Sequence, residues 1–242
     1  MSNFTNKLIS VAEGNEATKG VITEEKAQIL EKLTSHMLEV NEHLNLTAIK
    51  DEDGVILKHL VDSSACVPYI KSGAKLCDIG CGGGFPSLVI AILREDVSVL
   101  GVDSVSKKVK YVEGAANLLA LNNVLTSSRR AEELGNDKSY RETFDVVTAR
   151  AVARLNVLCE LCIPLLKIGG AFISMKSQTA PEEIEEARVA IEKLGGTLDT
   201  VNEYKLTNGA EMLDRTIIVI KKVKNTPQKY PRNNSQIAKK PL

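Results

Sequence analysis

Four glycines within five positions, Gly80, Gly82, Gly83 and Gly84, cut short an apolar run that starts at Lys75, and Pro86 follows them. Such a run, broken by glycine and resumed behind a proline, predicts a strand, a tight loop and a helix with Pro86 at its first position. Glycine at these places lets the backbone turn sharply and lets a ligand approach main-chain atoms that a Cβ would cover. A dinucleotide fingerprint G-x-G-x-x-G counted from Gly80 would need glycine at position 85, where the chain has Phe85. What the stretch carries instead is an acid two residues before the first glycine, in the order Asp78-x-Gly80-x-Gly82-x-Gly84.

That acid-glycine spacing resembles the first motif of S-adenosylmethionine-dependent methyltransferases. Residues 97–103 (Val-Ser-Val-Leu-Gly-Val-Asp) read as a second strand, apolar enough to be buried on both faces and ending in Asp103, nineteen residues after Gly84. An acid at the end of the second strand accepts hydrogen bonds from ribose hydroxyls in open α/β sheets, so one ligand could span Gly80 and Asp103. The competing reading makes Asp103 a helix cap before Ser104 and Ser106.

Alternating strand and helix patterns run through the rest. Strands are expected at 124–128, 144–150 and 171–176, with helices at 104–121, 154–166 and 182–194, the second ended by Gly169-Gly170 and the third opened by Pro181. Segments 198–206 and 215–223 read as a last pair of strands, antiparallel at one edge. This pattern implies an α/β fold with a mostly parallel, Rossmann-like sheet of seven strands and right-handed crossovers. Ahead of it, Thr23-Glu-Glu-Lys26 looks like a capped helix start, and Ile29, Leu30, Leu33, Met37 and Leu38 repeat at helical spacing. A second helix is expected at 54–69. Residues 1–70 therefore read as a helical extension, 71–223 as the sheet domain, and 224–242 as a basic tail.

The charge distribution supports that last division. Positions 221–242 hold seven basic residues and no acid, while the other 220 residues hold 24 basic and 31 acidic ones. With Pro227, Pro231 and Pro241 and few apolar side chains, the tail is expected to stay mobile until it meets an anionic partner. No run approaches eighteen apolar residues and the N-terminus lacks a basic-then-apolar leader, so a membrane span and a secretory signal are not expected and a cytoplasmic location is. Cys159-x-x-Cys162 lies in an apolar helical run without a second pair or a nearby histidine, which reads as two buried thiols rather than a metal site. His36 and His43 read as surface or satisfied residues.

Taken together, Asn45-Leu-Thr47, His59-x-x-Asp62-Ser63, the loop from Asp78 to Pro86, Val102-Asp-Ser104, Arg130-Ala-Glu132, Thr148-Ala-Arg-Ala-Val152 and residues 226–232 (Thr-Pro-Gln-Lys-Tyr-Pro-Arg) resemble the bacterial small-subunit rRNA guanine-N7 methyltransferases, also called the glucose-inhibited division protein B family. The resemblance runs from about residue 22 to the C-terminus. It implies a class I methyltransferase sheet, S-adenosyl-L-methionine as methyl donor, and as acceptor a guanine in one loop of 16S rRNA, free or within the small ribosomal subunit; no obligate protein partner is inferred. It places cofactor contacts on Gly80, Phe85, Ala131, Glu132 and Arg150, beside Asp78, Gly82, Gly84 and Asp103. RNA contacts are expected on Asn45, Thr47 and His59, and on Lys229, Tyr230 and Arg232 in the basic tail, where Tyr230, like Phe85, could stack on a base. One departure is Arg232-Asn-Asn-Ser-Gln-Ile-Ala238, less basic than the family's usual tail.

The residue chemistry is compatible. No acid- or amide-Pro-Pro-aromatic motif follows the fourth strand, and no Pro-Cys nucleophile is present. Guanine N7 needs neither, because its in-plane lone pair is free at neutral pH; Arg150 is then expected to position the reactants rather than to move protons. A methyltransferase of another substrate and a non-catalytic nucleotide-binding protein remain the competing classes.

Overall fold

The computed structural model describes residues 1–177 and 180–242. Its centre is a seven-stranded sheet in the order β3-β2-β1-β4-β5-β7-β6. The strands are β1 (Lys75–Ile79), β2 (Ser98–Val102), β3 (Val124–Ser127), β4 (Phe144–Arg150), β5 (Leu166–Lys176), β6 (Gly196–Thr207) and β7 (Met212–Lys222). β1 to β5 are parallel, and β7 lies antiparallel between β5 and β6. After its first residue every position of β1 and β2 is buried, as expected for strands covered by helices on both faces, whereas β6 at the edge is buried only at Leu206. The sheet order reverses at β1, so the loops leaving β1, β2 and β4 converge on the crevice where α/β sheets bind ligands.

The N-terminal helices form where the capping signals place them. Thr23 Oγ1 accepts from the Lys26 N–H and opens helix Glu24–Leu44, which buries Leu30, Leu33 and Met37 along one face and stops at Asn45 in a left-handed conformation (φ 49°). The first segment is a well-formed helix, Asn3–Glu13, capped by Ser2. The second expected helix is broken: Glu52–Val55 is α-helical, Ile56–Val61 is a π-turn, and Asp62–Ser64 resumes the α-helix. The wider turn carries Lys58 and His59; such π-turns often occur at functional sites. Apolar residues of the N-terminal helices share one core with Leu88, Val89, Tyr111 and Val112 from the helices on one face of the sheet.

Four expectations need correction. The helix expected at 154–166 spans only Leu155–Cys162, since Pro164, which has no N–H, lies in a short 3₁₀ turn and β5 already begins at Leu166. Gly169 and Gly170 therefore lie within β5, Gly169 at φ 83°, where the pairing with β4 shifts register, rather than closing a helix. The helix expected at 104–121 spans Ser106–Leu118 with Val105, not Asp103, at its cap position, although Asp103 Oδ1 accepts from the Val105 N–H. Pro86 stands one residue before helix Ser87–Leu93.

The tail departs most. Instead of hanging free, it folds back on the sheet domain, with Tyr230 and Ile237 in the main core and a short helix at Asn234–Lys239. Buried Lys222 Nζ reaches Glu142, Thr226 Oγ1 and the Ile163 carbonyl. Lys221, Lys222 and Arg232 thus find counter-charges in Asp199, Glu142 and Glu160, which a count of charges by segment cannot register. Cys159 and Cys162 are free, fully buried thiols in the same core, and burial pushes both above the ordinary thiol range. No helix among the described residues is long and apolar enough to cross a membrane.

Candidate functional site

The loop after β1 is anchored from below. Gly80 and Cys81 both donate to the Val102 carbonyl at 2.8 and 3.0 Å, tying the loop to the end of β2. Gly80, Gly82 and Gly84 have φ of 75°, 54° and 87°, which is why glycine stands at these three. At Gly80 the need is doubled, because a Cβ would lie 2.3 Å from Val152 Cγ2. Asp78 does not face the cleft. Fully buried beneath the loop, it accepts from Thr148 Oγ1 at 2.8 Å and from the Ser87 N–H at 3.2 Å, joining β1, β4 and the start of the next helix. Burial raises its pKa to about 6 although both hydrogen bonds pull it down. Its expected place among the cofactor contacts is therefore corrected to a support under the loop. Gly84 is likewise turned inward, onto Leu88.

Above the loop opens a cleft of about 440 Å³ whose walls include Gly80, Gly82, Phe85, Asp103, Ala131 and Glu132, with Thr47, His59 and Arg150 at its other end. Asp103 spans both sequence readings: Oδ2 accepts from the Gly82 N–H at 3.1 Å, while Oδ1 holds the turn into the following helix. Because a carboxylate offers about four lone pairs, capacity is left for a ligand. Glu132 is 8 % exposed and its carboxylate makes no hydrogen bond among the described residues, so the cleft has an acceptor waiting for a donor. Asp103 and Glu132 follow β2 and β3, and Arg150 ends β4, so acids and guanidinium lie on opposite sides of β1.

The Arg150 end is a chain of paired groups. Arg150 Nη1 donates to Asp62 Oδ2 and to the Lys58 carbonyl, both at 2.8 Å, and Asp62 Oδ1 accepts from Arg215 Nε at 2.9 Å. Arg150 Nη2 lies 3.2 Å from His59 Nδ1, and His59 Nε2 is 2.8 Å from Thr47 Oγ1. A guanidinium only donates, so Nδ1 must accept and the proton of the neutral ring sits on Nε2, donated to Thr47. Burial and the adjacent Arg150 charge push His59 down to about 3, which keeps it neutral. Its ring stacks on Phe85 with centroids 4.5 Å apart. Ala151, next to Arg150, has φ 56°, a conformation that non-glycine residues adopt at a cost and that marks this corner as constrained.

On the far side of His59 and Arg150 a second cavity of about 570 Å³ is lined by Lys58, Arg154, Lys176 and Arg215 along with Asp62 and Glu183. Asp62, Arg215 and Val152 escaped the sequence reading as site residues. Asp62 and Val152 had a signal, their places in the His59-x-x-Asp62 and Thr148–Val152 patterns, and Arg215 had none. Four expected RNA contacts lie outside both cavities. Asn45 ends its helix, and Lys229 sits over the Tyr230 ring, 5.3 Å from its centroid. Tyr230 is 7 % exposed and cannot stack on a base without leaving the core. Arg232 is engaged by buried Glu160, with Nε and Nη2 at 2.8 and 2.6 Å. Among the described residues no cluster of His, Cys, Asp or Glu could hold a metal ion.

A family model described as rRNA small subunit methyltransferase G matches residues 26–213. A protein named ribosomal RNA small subunit methyltransferase G from Lactobacillus delbrueckii subsp. bulgaricus is 47% identical over 210 residues, covering 85% of this chain and 87% of its own. One of the same name from Bacillus subtilis is 41% identical over 229 residues, 93% of this chain and 95% of its own. Among solved structures, a SAM-dependent methyltransferase from Aquifex aeolicus superposes with a TM-score of 0.54 at 16% identity, over 77% of this chain and 97% of that one, a likeness of fold.

Proposed function

From the premise that the chain belongs to the rRNA small subunit methyltransferase G family, we propose that its two cavities divide the reaction between them: methyl donor in the glycine-loop cleft, target guanine in the cavity behind His59 and Arg150. The protein is an S-adenosylmethionine-dependent methyltransferase of small-subunit rRNA. The cleft fits that cofactor on its own terms: a glycine cradle that a Cβ at position 80 would fill, a half-engaged acid at Asp103, and an unpartnered carboxylate at Glu132. Asp103 and Glu132 would hold the nucleoside, and Gly80, Gly82, Phe85 and Ala131 would shape the walls. Bound there, S-adenosylmethionine supplies an electrophilic methyl group carried on a sulfonium.

The acceptor atom follows from what the Arg150 end lacks. Both nitrogens of His59 are used, one accepting from Arg150 and the other donating to Thr47. Asp62 is held between two arginines, and the free acid Glu132 lies across β1. Glu183, the other acid lining the cavity, pairs with Lys176 and accepts from the Leu155 N–H, so among the described residues no base stands ready to remove a proton, which suits guanine N7, whose lone pair is already free. The side chains hold and orient: Arg150 and His59 fix the reacting edge, while Lys58, Arg154 and Arg215 line the cavity ion-paired with Glu211, Glu186 and Asp62, pairs that RNA phosphates would have to compete with. Holding the reactants in line is an effect that can contribute roughly 7–11 kcal/mol. The observation that carries the N7 reading is the fully occupied, neutral His59.

The test uses labelled S-adenosylmethionine with 16S rRNA and, separately, with small subunits. N7-methylguanosine bears a fixed positive charge, so its strand is cut by borohydride followed by aniline. One methyl group per RNA with cleavage at one guanine is expected. One methyl group without cleavage would refute N7.

A further inference from the structure

The folded-back tail forms part of the cofactor cleft. Asn234 lines the cleft together with Ala131, Glu132 and Leu161. What brings it there is a set of anchors on the elements that carry those wall residues. Glu160, with no exposed surface and next in sequence to Leu161, accepts three hydrogen bonds from Arg232, from the backbone N–H, Nε and Nη2, at 2.8, 2.8 and 2.6 Å. Asn136 Nδ2 donates both to the Glu132 carbonyl at 2.9 Å and to the Pro231 carbonyl at 3.1 Å, so one amide joins the cleft wall to the tail. Arg141 grips the tail from behind through the Tyr230 and Thr226 carbonyls, both at 2.7 Å. Gly135 leaves the space Pro231 fills, since a Cβ there would stand 2.7 Å from Pro231 Cγ.

These contacts would be an expensive way to keep a solubilising tail. They place one uncommitted group at the cleft: the Asn234 carboxamide has no hydrogen-bond partner among the described residues, and it presents a donor and an acceptor side by side. That pair matches the edge of an adenine ring, where an amino group adjoins a ring nitrogen. Asn234 stands on the Ala131–Glu132 side, across β1 from Arg150. Resting on the assignment of the glycine-loop cleft to S-adenosylmethionine, we propose that Asn234 contacts the adenine of the cofactor, with Arg232 and Glu160 as its positioning residues. The tail then serves cofactor selection, and removing it weakens cofactor binding.

Calorimetric titration of the full chain with S-adenosylhomocysteine and with its inosine counterpart, in which oxygen replaces the adenine amino group, tests this. Asn234→Ala should weaken S-adenosylhomocysteine roughly 2- to 12-fold, the usual range for a lost hydrogen bond, and narrow the preference over the inosine ligand. Arg232→Ala should narrow that preference too without touching the ligand, a change that simple loosening of the fold would not produce. Asn234 is exposed and outside the core, so its variant stays interpretable if Arg232→Ala unfolds. Unchanged affinities in Asn234→Ala overturn the proposal, and equal weakening of both ligands overturns the adenine contact. Wild-type protein that binds neither ligand overturns the cofactor assignment itself, and this inference with it.

Discussion

Replacing Asp78 with asparagine isolates the cost of keeping a carboxylate under the glycine loop. Asp78 is fully buried and its pKa stands at about 6 against an ordinary 3.8, so the folded state holds the proton more tightly than the unfolded state. At about 1.36 kcal/mol per pH unit, that difference amounts to about 3 kcal/mol. Because the folded pKa is raised, stability from this group is present below the unfolded value and falls as pH rises from about 4 to about 6, with the full penalty standing at pH 7. The Asp78→Asn variant would carry no such penalty. The new amide oxygen can accept from the Ser87 N–H, and its NH₂ can donate to Thr148 Oγ1, since a hydroxyl also accepts. Urea unfolding of both proteins from pH 4 to pH 8 is the assay. The wild-type curve alone would mislead, because His59, depressed to about 3, works the other way by adding stability as pH rises toward 6.5. In the difference between the two proteins His59 cancels. That difference should move in favour of the Asp78→Asn variant by about 2.4 kcal/mol between pH 4 and pH 7, since at pH 4 the unfolded carboxyl is already partly ionised. A flat difference, or one moving in favour of the wild type, would refute the claim that burial dominates at this carboxylate. Since Asp78 does not line the cleft, cofactor affinity should hold within a small factor.

His59→Gln should keep far more methyl-transfer activity than His59→Ala, because glutamine can accept from Arg150 and donate to Thr47; equal loss in the two variants, measured as kcat/KM, would show that the ring's stacking on Phe85 matters and its hydrogen bonds do not. The wild-type protein should show no inflection near pH 6.5 in kcat/KM, as His59 is neutral throughout that range. Gly80→Ala meets both a positive φ and Val152, whereas Gly82→Ala meets only the φ cost of about 1–2 kcal/mol, its nearest non-neighbouring atom being 3.7 Å from the new Cβ. Gly80→Ala should therefore lose more of the thermal shift produced by S-adenosylhomocysteine, and Val152→Ala in the same chain should restore part of it.

The parallel sheet and the glycine loop were legible in the sequence, because both are written in short-range terms. Buried strands read as unbroken apolar runs, a left-handed loop demands glycine within a few positions, and Asp103 directly follows its strand, with Glu132 in the first turn of the helix after β3. Element ends were less legible where a distant partner competes, as at Leu166, which pairs with Phe144 in β4 instead of extending a helix. The Arg150 cluster joins residues 88 and 91 positions apart, and the Glu160–Arg232 anchor spans 72. Charge counted along the chain made the last 22 residues look unattached. Folding pairs Lys222 with Glu142 and Arg232 with Glu160, and in each pair one partner, Lys222 or Glu160, is fully buried. A buried acid without its cation would be severely destabilising, so the tail is held by charges that lie far upstream in sequence and become its neighbours only in the folded chain.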